Sequence, residues 1–331
     1  MWRVKAVNFL TLILISAKVK YFPLFLDEKG MTPTQIGVLM GFGSFAQFLA
    51  TPIWGVLSDV TNRPALMLGI GLFVWTGIFQ AFRVESLSAY SIVFYALLTI
   101  FEAAMSLIDV ISVAAATRSG ESYGGQRWLA SLGFGAGCLV SGALVEAYGY
   151  SAMFFWSLFF GALLTLNAYF LDKELARTSL STPPDKYESE PSQISSDEEQ
   201  LRAPTKNCDQ NFDSETGVQM LIQAAKAAIG NQKLVNILVN AILFGNLVCL
   251  VDVFMILHIQ QSFHVTKTFV GFATLAGTLS EIPVFLYSGK ILSRYGKGTA
   301  MLFSHASFAL RLILLALVTF LFDGSEGGYH G

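Results

Sequence analysis

A few charged side chains interrupt stretches of this sequence that are otherwise apolar. Glu281 and Arg311 each fall near the middle of such a stretch, and Asp252 lies past the middle of another. A charge at the centre of a bilayer costs about 2.5–3.5 kcal/mol on translocon scales, so each of these groups must face other helices. We expect Glu281 and Arg311 to pair and Asp252 to carry a proton. The pair is either a static structural bridge or a proton- or substrate-linked one.

A second set combines carboxylates, an arginine and aromatic rings. Glu102 and Asp109 are seven residues apart, which places them on one helix face, and Arg127 follows across a short loop. An arginine holds a carboxylate through two parallel hydrogen bonds. We therefore predict that Asp109 and Arg127 bind a sugar, nucleoside or other polyol, or else form a simple salt bridge at the cytoplasmic end. Glu102 is a further candidate for binding, and Trp128 or Phe134 would supply a flat apolar wall.

Two lysines and several glycines complete the residues of interest. Lys18 and Lys20 lie near the outer third of the first apolar stretch. We expect Lys20 to extend its ammonium group to the membrane surface and Lys18 to face a cavity. Glycines within the apolar stretches suit close helix contacts, at positions 41, 43, 133, 135 and 137. The three cysteines show no metal-binding or disulfide spacing, so we predict no metal site. No hydrolytic or redox constellation stands out in the sequence, so we also predict no cofactor and no enzymatic activity.

Nine apolar stretches must position these residues. A helix needs about 20 mostly apolar residues to cross the hydrocarbon core of a membrane. The stretches run roughly over 4–26, 34–57, 65–83, 90–116, 124–147, 151–171, 234–260, 268–289 and 299–322. Only 13% of the residues are charged, against about 25% in soluble domains, so lipid must be part of the solvent. The net charge of −2 excludes a basic field for nucleic acid.

A polar segment divides these stretches into six and three. Residues 173–232 are rich in Ser, Pro, Asp and Glu, and we predict a mostly disordered linker because this composition buries too little apolar surface to fold. The predicted domains are thus a six-helix bundle at 1–172, the linker, a partial bundle of three helices at 233–322 and a short tail at 323–331. Basic residues gather in the N-terminus, the linker and alternate loops. We therefore expect a multi-pass membrane protein with a cytoplasmic N-terminus and linker.

The segment GVLSDVTNRPAL, between the second and third stretches, resembles the loop signature of the major facilitator superfamily. The matching residues are Gly55, Leu57, Ser58, Asp59 and Arg63. Asn62 stands where the signature has Gly, and Pro64 replaces its second basic residue. The resemblance implies a gating loop, in which Asp59 would cap or pair near a helix end and Gly55 would let two helices approach. The alternative is an ordinary turn with a helix cap.

Further stretches resemble the lactose permease and nucleoside–proton symporter branch of that superfamily. Asp109 and Arg127 keep the 18-residue spacing of the pair that holds the sugar in lactose permease, and Phe134 falls at its stacking Trp. The segment CLVDVF places Asp252 at an acidic position of the seventh helix. The segment that begins SEIPVFLYSGK places Arg311 at the functional arginine of the ninth. Glu281 lies about one turn from the acid of the eighth helix.

The resemblance implies an all-α integral membrane protein with a major facilitator-type helical bundle. The N-terminal six-helix half would be complete and the C-terminal half partial, because such transporters have about twelve spans and we count nine. The implied function is secondary active transport of a small polar solute, sugar- or nucleoside-like, by alternating access and with proton coupling as an open element. The rival expectation is a truncated, non-transporting membrane paralogue that acts as a receptor, scaffold or assembly factor.

Overall fold

The computed structural model describes residues 2–83, 90–120, 123–181, 230–263 and 265–326, and within these ranges the regular secondary structure is entirely helical. The elements are α1 Trp2–Glu28, α2 Pro33–Thr61, α3 Pro64–Ala81, α4 Tyr90–Glu102, a 3₁₀ turn Ala103–Ser106, α5 Leu107–Ser119, α6 Tyr123–Tyr148, α7 Ser151–Ser181, α8 Gln232–Phe263 and α9 Lys267–Glu326. The predicted all-α membrane fold is confirmed.

The helices follow the nine apolar stretches of the sequence. In the described ranges, eight helical segments are long and apolar enough to cross a membrane. The seventh stretch folds as α8, a helix of 32 residues. The last two stretches are joined in α9, whose arms Lys267–Gly296 and Gly298–Leu317 meet at a break. Gly296 makes that break with φ 77°, a backbone conformation that glycine adopts at little steric cost.

The distribution of side chains is that of a protein solvated by lipid. Large apolar side chains cover the outside, as at Phe48, Ile53 and Leu302, which are 63%, 66% and 72% exposed. Several charged side chains of the described residues are buried instead: Lys18, Lys20, Glu102 and Asp172. A water-soluble protein has the opposite arrangement. The bundle is therefore built to place polar chemistry in its interior.

The first six spans pack around α1. The most apolar window of α1 is 83% buried, against 22% for α2. Phe22 of α1 stacks on Tyr95 of α4 with ring centroids 5.7 Å apart, and it meets Phe79 of α3 at the same distance. Phe79 in turn lies 4.9 Å from Phe154 of α7. These aromatic contacts tie four helices into one core and leave α1 with little surface toward lipid.

Small residues allow α6 and α9 to pack closely. A Cβ atom added to Gly124, Gly135 or Gly271 would collide with the facing helix. Of the five glycines predicted to make helix contacts, four do so: 43, 133, 135 and 137. Gly41 has open space, so that prediction was wrong. Close approach of α6 and α9 joins the six-helix bundle to the C-terminal helices.

Helix α7, the sixth span, continues beyond the predicted start of the linker. α7 ends at Ser181, eight residues after position 173. Ion pairs of Asp172 with Arg63 and of Glu174 with Arg3 attach α7 to the rest of the bundle about two turns before its end. Residues 182–229 and 327–331 lie outside the described ranges, so the disordered linker stays a prediction.

Candidate functional site

A cavity of about 610 Å³ lies between α1 and α6 on one side and α8 and α9 on the other. Its polar and charged lining residues are Lys20, Arg127, Ser131, Thr274, Thr278, Ser280, Glu281 and Arg311. Phe134 and several aliphatic side chains complete the wall. Four predicted site residues, Arg127, Phe134, Glu281 and Arg311, are thus brought into one cavity. Its volume is within the range of sites for small organic ligands.

Arg127 is fixed at the cavity wall by two partners. Its Nη1 forms the predicted ion pair with Asp109 and donates to the Tyr123 hydroxyl oxygen at 2.7 Å. The Tyr123 hydroxyl donates to Asp109 Oδ1 at 2.8 Å. Asp109 is about half exposed and does not line the cavity, so it orients Arg127 from behind. Tyr123 was not predicted, although its spacing of four residues from Arg127 on one helix could have indicated it.

Glu102 lies in a different environment from Asp109. The 3₁₀ turn between them winds at three residues per turn and adds roughly 80° of rotation over four residues, so the expected common face is lost. Glu102 Oε2 accepts hydrogen bonds from Lys18 Nζ at 2.8 Å and from Trp75 Nε1 at 3.2 Å. Neither Glu102 nor Trp128 is among the described residues that line the cavity. Glu102 instead joins α4 to α1 and α3.

The two lysines of α1 exchange the roles predicted for them. Lys18, expected at the cavity, pairs with Glu102 inside the six-helix bundle. Lys20, expected to reach the membrane surface, is 7% exposed and lines the cavity. Its Nζ lies 5.9 Å from the centroid of the Phe134 ring. The prediction failed because α1 is surrounded by other helices, so Lys20 has no lipid-facing surface along which to extend.

The remaining predicted charges come from α8 and α9. Glu281 on the first arm of α9 and Arg311 on the second both line the cavity. The Arg311 Nη2 also lies 3.6 Å from the sulfur of Met255. The pairing of Glu281 with Arg311 stays a prediction. Asp252 falls on α8, but its side chain is outside the described part of the structure.

The predicted gating loop is a tight turn between α2 and α3. Asn62 has φ 52° and ends α2 in the left-handed conformation, which explains why the signature has Gly at this position. Arg63 donates to Asp172 Oδ2 from Nη2 at 2.6 Å and from Nε at 3.1 Å. Asp59 is exposed, and its backbone carbonyl rather than its carboxylate accepts from Asn62. Gly55 has open space, so the expected close helix approach is not found there.

A second group of contacts joins the two parts of the bundle at the end where α1 terminates, here named the Glu28 end. The carboxylate of Glu146 on α6 accepts from the backbone and the hydroxyl of Thr268 at the start of α9. Lys267 Nζ lies 3.8 Å from Glu28 Oε2, and the backbone carbonyl of Lys267 accepts a hydrogen bond from the Tyr21 hydroxyl at 3.2 Å. These are polar contacts at helix ends, of the kind that a rocking motion can break and re-form.

Comparison with known proteins adds a family and two distant relatives. The model of the MFS_1 like family matches residues 1–322. The chain is 27% identical over 120 residues to the "Uncharacterized transporter YwbF" of Bacillus subtilis (strain 168), which covers 36% of this chain and 30% of that protein. It is 24% identical over 164 residues to the "Uncharacterized MFS-type transporter MJ1560" of Methanocaldococcus jannaschii. This alignment covers 49% of this chain and 42% of that protein.

The chain therefore aligns with less than half the length of these curated relatives. No solved structure matches it.

Proposed function

Because this chain belongs to the MFS_1 like family, we propose that it is a membrane transporter of a small polar organic solute and not an enzyme. The observation that carries the proposal is the cavity between α1 and α6 and the C-terminal helices α8 and α9. Charged side chains in the interior of a lipid-solvated bundle are costly, so those that line a cavity indicate a solute pathway or a binding site. The transporter names of the two relatives agree with that class of function.

The mechanism we propose is alternating access around this cavity. A solute bound there touches α6 through Arg127 and Phe134 and touches α9 through Glu281 and Arg311. It therefore bridges the two parts of the molecule that must move relative to one another. The contacts of Glu146 with Thr268 and of Lys267 with Glu28 would break when the Glu28 end opens. The close α6–α9 packing would serve as the surface over which the parts rock.

Two finer elements belong to the proposal and rest on the resemblance to lactose permease and nucleoside–proton symporters. The solute would have the size of a sugar or nucleoside, which the cavity volume accommodates. Transport would be coupled to protons, with Glu281 and Asp252 as the carboxylates that bind them. Arg127, oriented by Asp109 and Tyr123, would donate to solute oxygens with its remaining N–H groups.

Uptake into proteoliposomes tests the proposal. The 331-residue chain is reconstituted and offered radiolabelled sugars, nucleosides and small carboxylic acids, with and without an imposed pH gradient. We expect time-dependent uptake of at least one class above that of protein-free liposomes, and loss of that uptake in Phe134→Ala. Absence of uptake for every solute, from protein shown to be folded and inserted, would contradict transport and favour a receptor or scaffold role.

A further inference from the structure

We propose that the solute carries one carboxylate group and that Lys20 binds it. This inference rests on the proposed function, since it names the chemical class of the solute in the same cavity. The observation behind it is a buried ammonium group on the cavity wall. Lys20 is 7% exposed, lines the cavity, and forms no ion pair with any carboxylate of the described residues.

Lys18, unlike Lys20, is a buried lysine whose charge is neutralised by a carboxylate among the described residues of the protein. Lys18 is equally buried, two residues earlier on the same helix, and its Nζ donates to Glu102 Oε2 at 2.8 Å. A buried ammonium group is expensive unless an anion neutralises it. The protein supplies that anion to Lys18. For Lys20, the open side of the group is the cavity, so the anion that completes it is the solute.

The described charges around the cavity favour a solute with one negative group. Four charged side chains line it among the described residues: Lys20, Arg127, Glu281 and Arg311. The charge of Arg127 is balanced by Asp109 behind it. The formal charges of Glu281 and Arg311 cancel. With Glu281 ionised, one positive charge remains among these four side chains, on Lys20, and a monoanion balances it.

The rest of the wall indicates an apolar body next to the carboxylate. The Phe134 ring lies beside the Lys20 ammonium group, with its centroid 5.9 Å from Nζ. Aliphatic side chains from α8 and α9 line the same cavity, among them Ile256, Ile259 and Val270. A carboxylate on Lys20 thus leaves the adjacent part of the molecule against a ring and branched aliphatic groups. A monocarboxylic acid with some apolar surface therefore matches the Lys20 ammonium group together with the ring and these aliphatic groups.

Matched acid and amide probes separate charge from shape. Binding of benzoate and benzamide, and of lactate and lactamide, is measured by titration calorimetry on the purified chain in nanodiscs. We expect at least one acid to bind about tenfold or more tightly than its amide. Lys20→Gln should abolish this preference, whereas Lys20→Arg should retain it because the charge remains. Lys290→Gln removes an exposed lysine outside the cavity and should change nothing.

A stability measurement shows whether Lys20→Gln has merely unfolded the protein. Without ligand, Lys20→Gln should melt at or above the temperature of the unmodified chain, because an uncompensated buried charge has been removed. Equal binding of acid and amide, binding of neither acid, or an unchanged preference in Lys20→Gln would each overturn the inference. The uptake assay distinguishes this inference from the proposed function. Normal uptake of a neutral solute by Lys20→Gln would support transport and contradict the carboxylate inference. Acid binding without uptake of any solute would contradict transport and leave the carboxylate inference intact.

Discussion

Lys18 and Lys20 are two residues apart on α1 and are equally buried, yet they lie in separate polar environments. Two residues of an α-helix are turned about 200° from one another, so the side chains leave the helix on opposite sides. Lys18 meets Glu102 and Trp75 in the six-helix bundle. Lys20 meets Phe134 and the cavity. α1 thus separates a structural ion pair from the candidate binding site.

The ion pair of Lys18 and Glu102 should be important for stability. Glu102→Gln leaves the Lys18 ammonium group buried without its counter-charge, and we expect a loss of about 3–5 kcal/mol in the free energy of unfolding. The double variant Lys18→Met, Glu102→Gln should recover much of that loss, since no buried charge remains. Thermal unfolding in detergent, with Lys29→Gln as an exposed control, measures both. A single variant as stable as the unmodified chain would contradict this role.

Arg127 should depend on its planar fork as well as on its charge. Arg127→Lys keeps the charge but replaces five N–H donors in a planar fork by three on a single nitrogen, which reaches Asp109, Tyr123 and a solute less well. We expect uptake to fall at least about tenfold, equivalent to about 1.4 kcal/mol, at matched expression. Tyr123→Phe should give a smaller loss, because Asp109 still holds the guanidinium. Arg118→Lys, at the end of α5 and outside the cavity, provides the control. Normal uptake by Arg127→Lys and by Asp109→Asn would leave the group with a structural role only.

Glu281 and Arg311 line one cavity from the two arms of α9, and we predict that they are energetically coupled. Glu281→Gln and Arg311→Gln should each reduce uptake or stability more than the double variant does. The coupling energy from a double-mutant cycle should be about 0.5–3 kcal/mol. Simple additivity of the two single effects would show that the charges act independently.

The left-handed backbone conformation of Asn62 should limit which residues are tolerated in the loop between α2 and α3. Its φ of 52° is in the left-handed region, where most side chains cost roughly 1–2 kcal/mol. Asn62→Ala should therefore lower stability by about 1 kcal/mol, whereas Asn62→Gly should be neutral or stabilising. Thr61→Ala, one residue earlier in α2, serves as the helical control for thermal unfolding. Equal effects of Ala and Gly at position 62 would exclude a backbone cause.

The helices of this protein could be predicted closely from the sequence because lipid imposes a simple rule. Each span must form its backbone hydrogen bonds within the segment and contain about 20 apolar residues. A run of about 20 apolar residues therefore predicts a helix by itself. The 3₁₀ turn Ala103–Ser106 lacked such a signal, since it contains neither Pro nor Gly. It separated Glu102 from Asp109 and made the expected common face wrong.

The residues that line the cavity were predictable where a charge within an apolar stretch was the signal, and not where helix packing decided. Glu281, Arg311 and Arg127 stood out as charges in or beside apolar stretches, and all three line the cavity. To predict which of Lys18 and Lys20 lines the cavity, one must know that α1 is the central helix. Periodicity within one helix does not contain that information, because it depends on how the other five spans of the bundle surround α1. Tyr123 was missed because it carries no charge, although its place four residues before Arg127 on α6 could have indicated the contact.

The central claim is that the cavity alternates between the two sides of the membrane, and a reversible lock at the Glu28 end tests it most directly. Glu146→Cys and Thr268→Cys are introduced together after Cys138, Cys208 and Cys249 are replaced by Ser. A short thiol-specific cross-linker that dithiothreitol releases then joins α6 to α9, and proteoliposome uptake is measured before and after reduction. We expect uptake to stop on cross-linking and to return on reduction, while each single-cysteine variant stays unaffected. Full uptake by quantitatively cross-linked protein would contradict alternating access through this end.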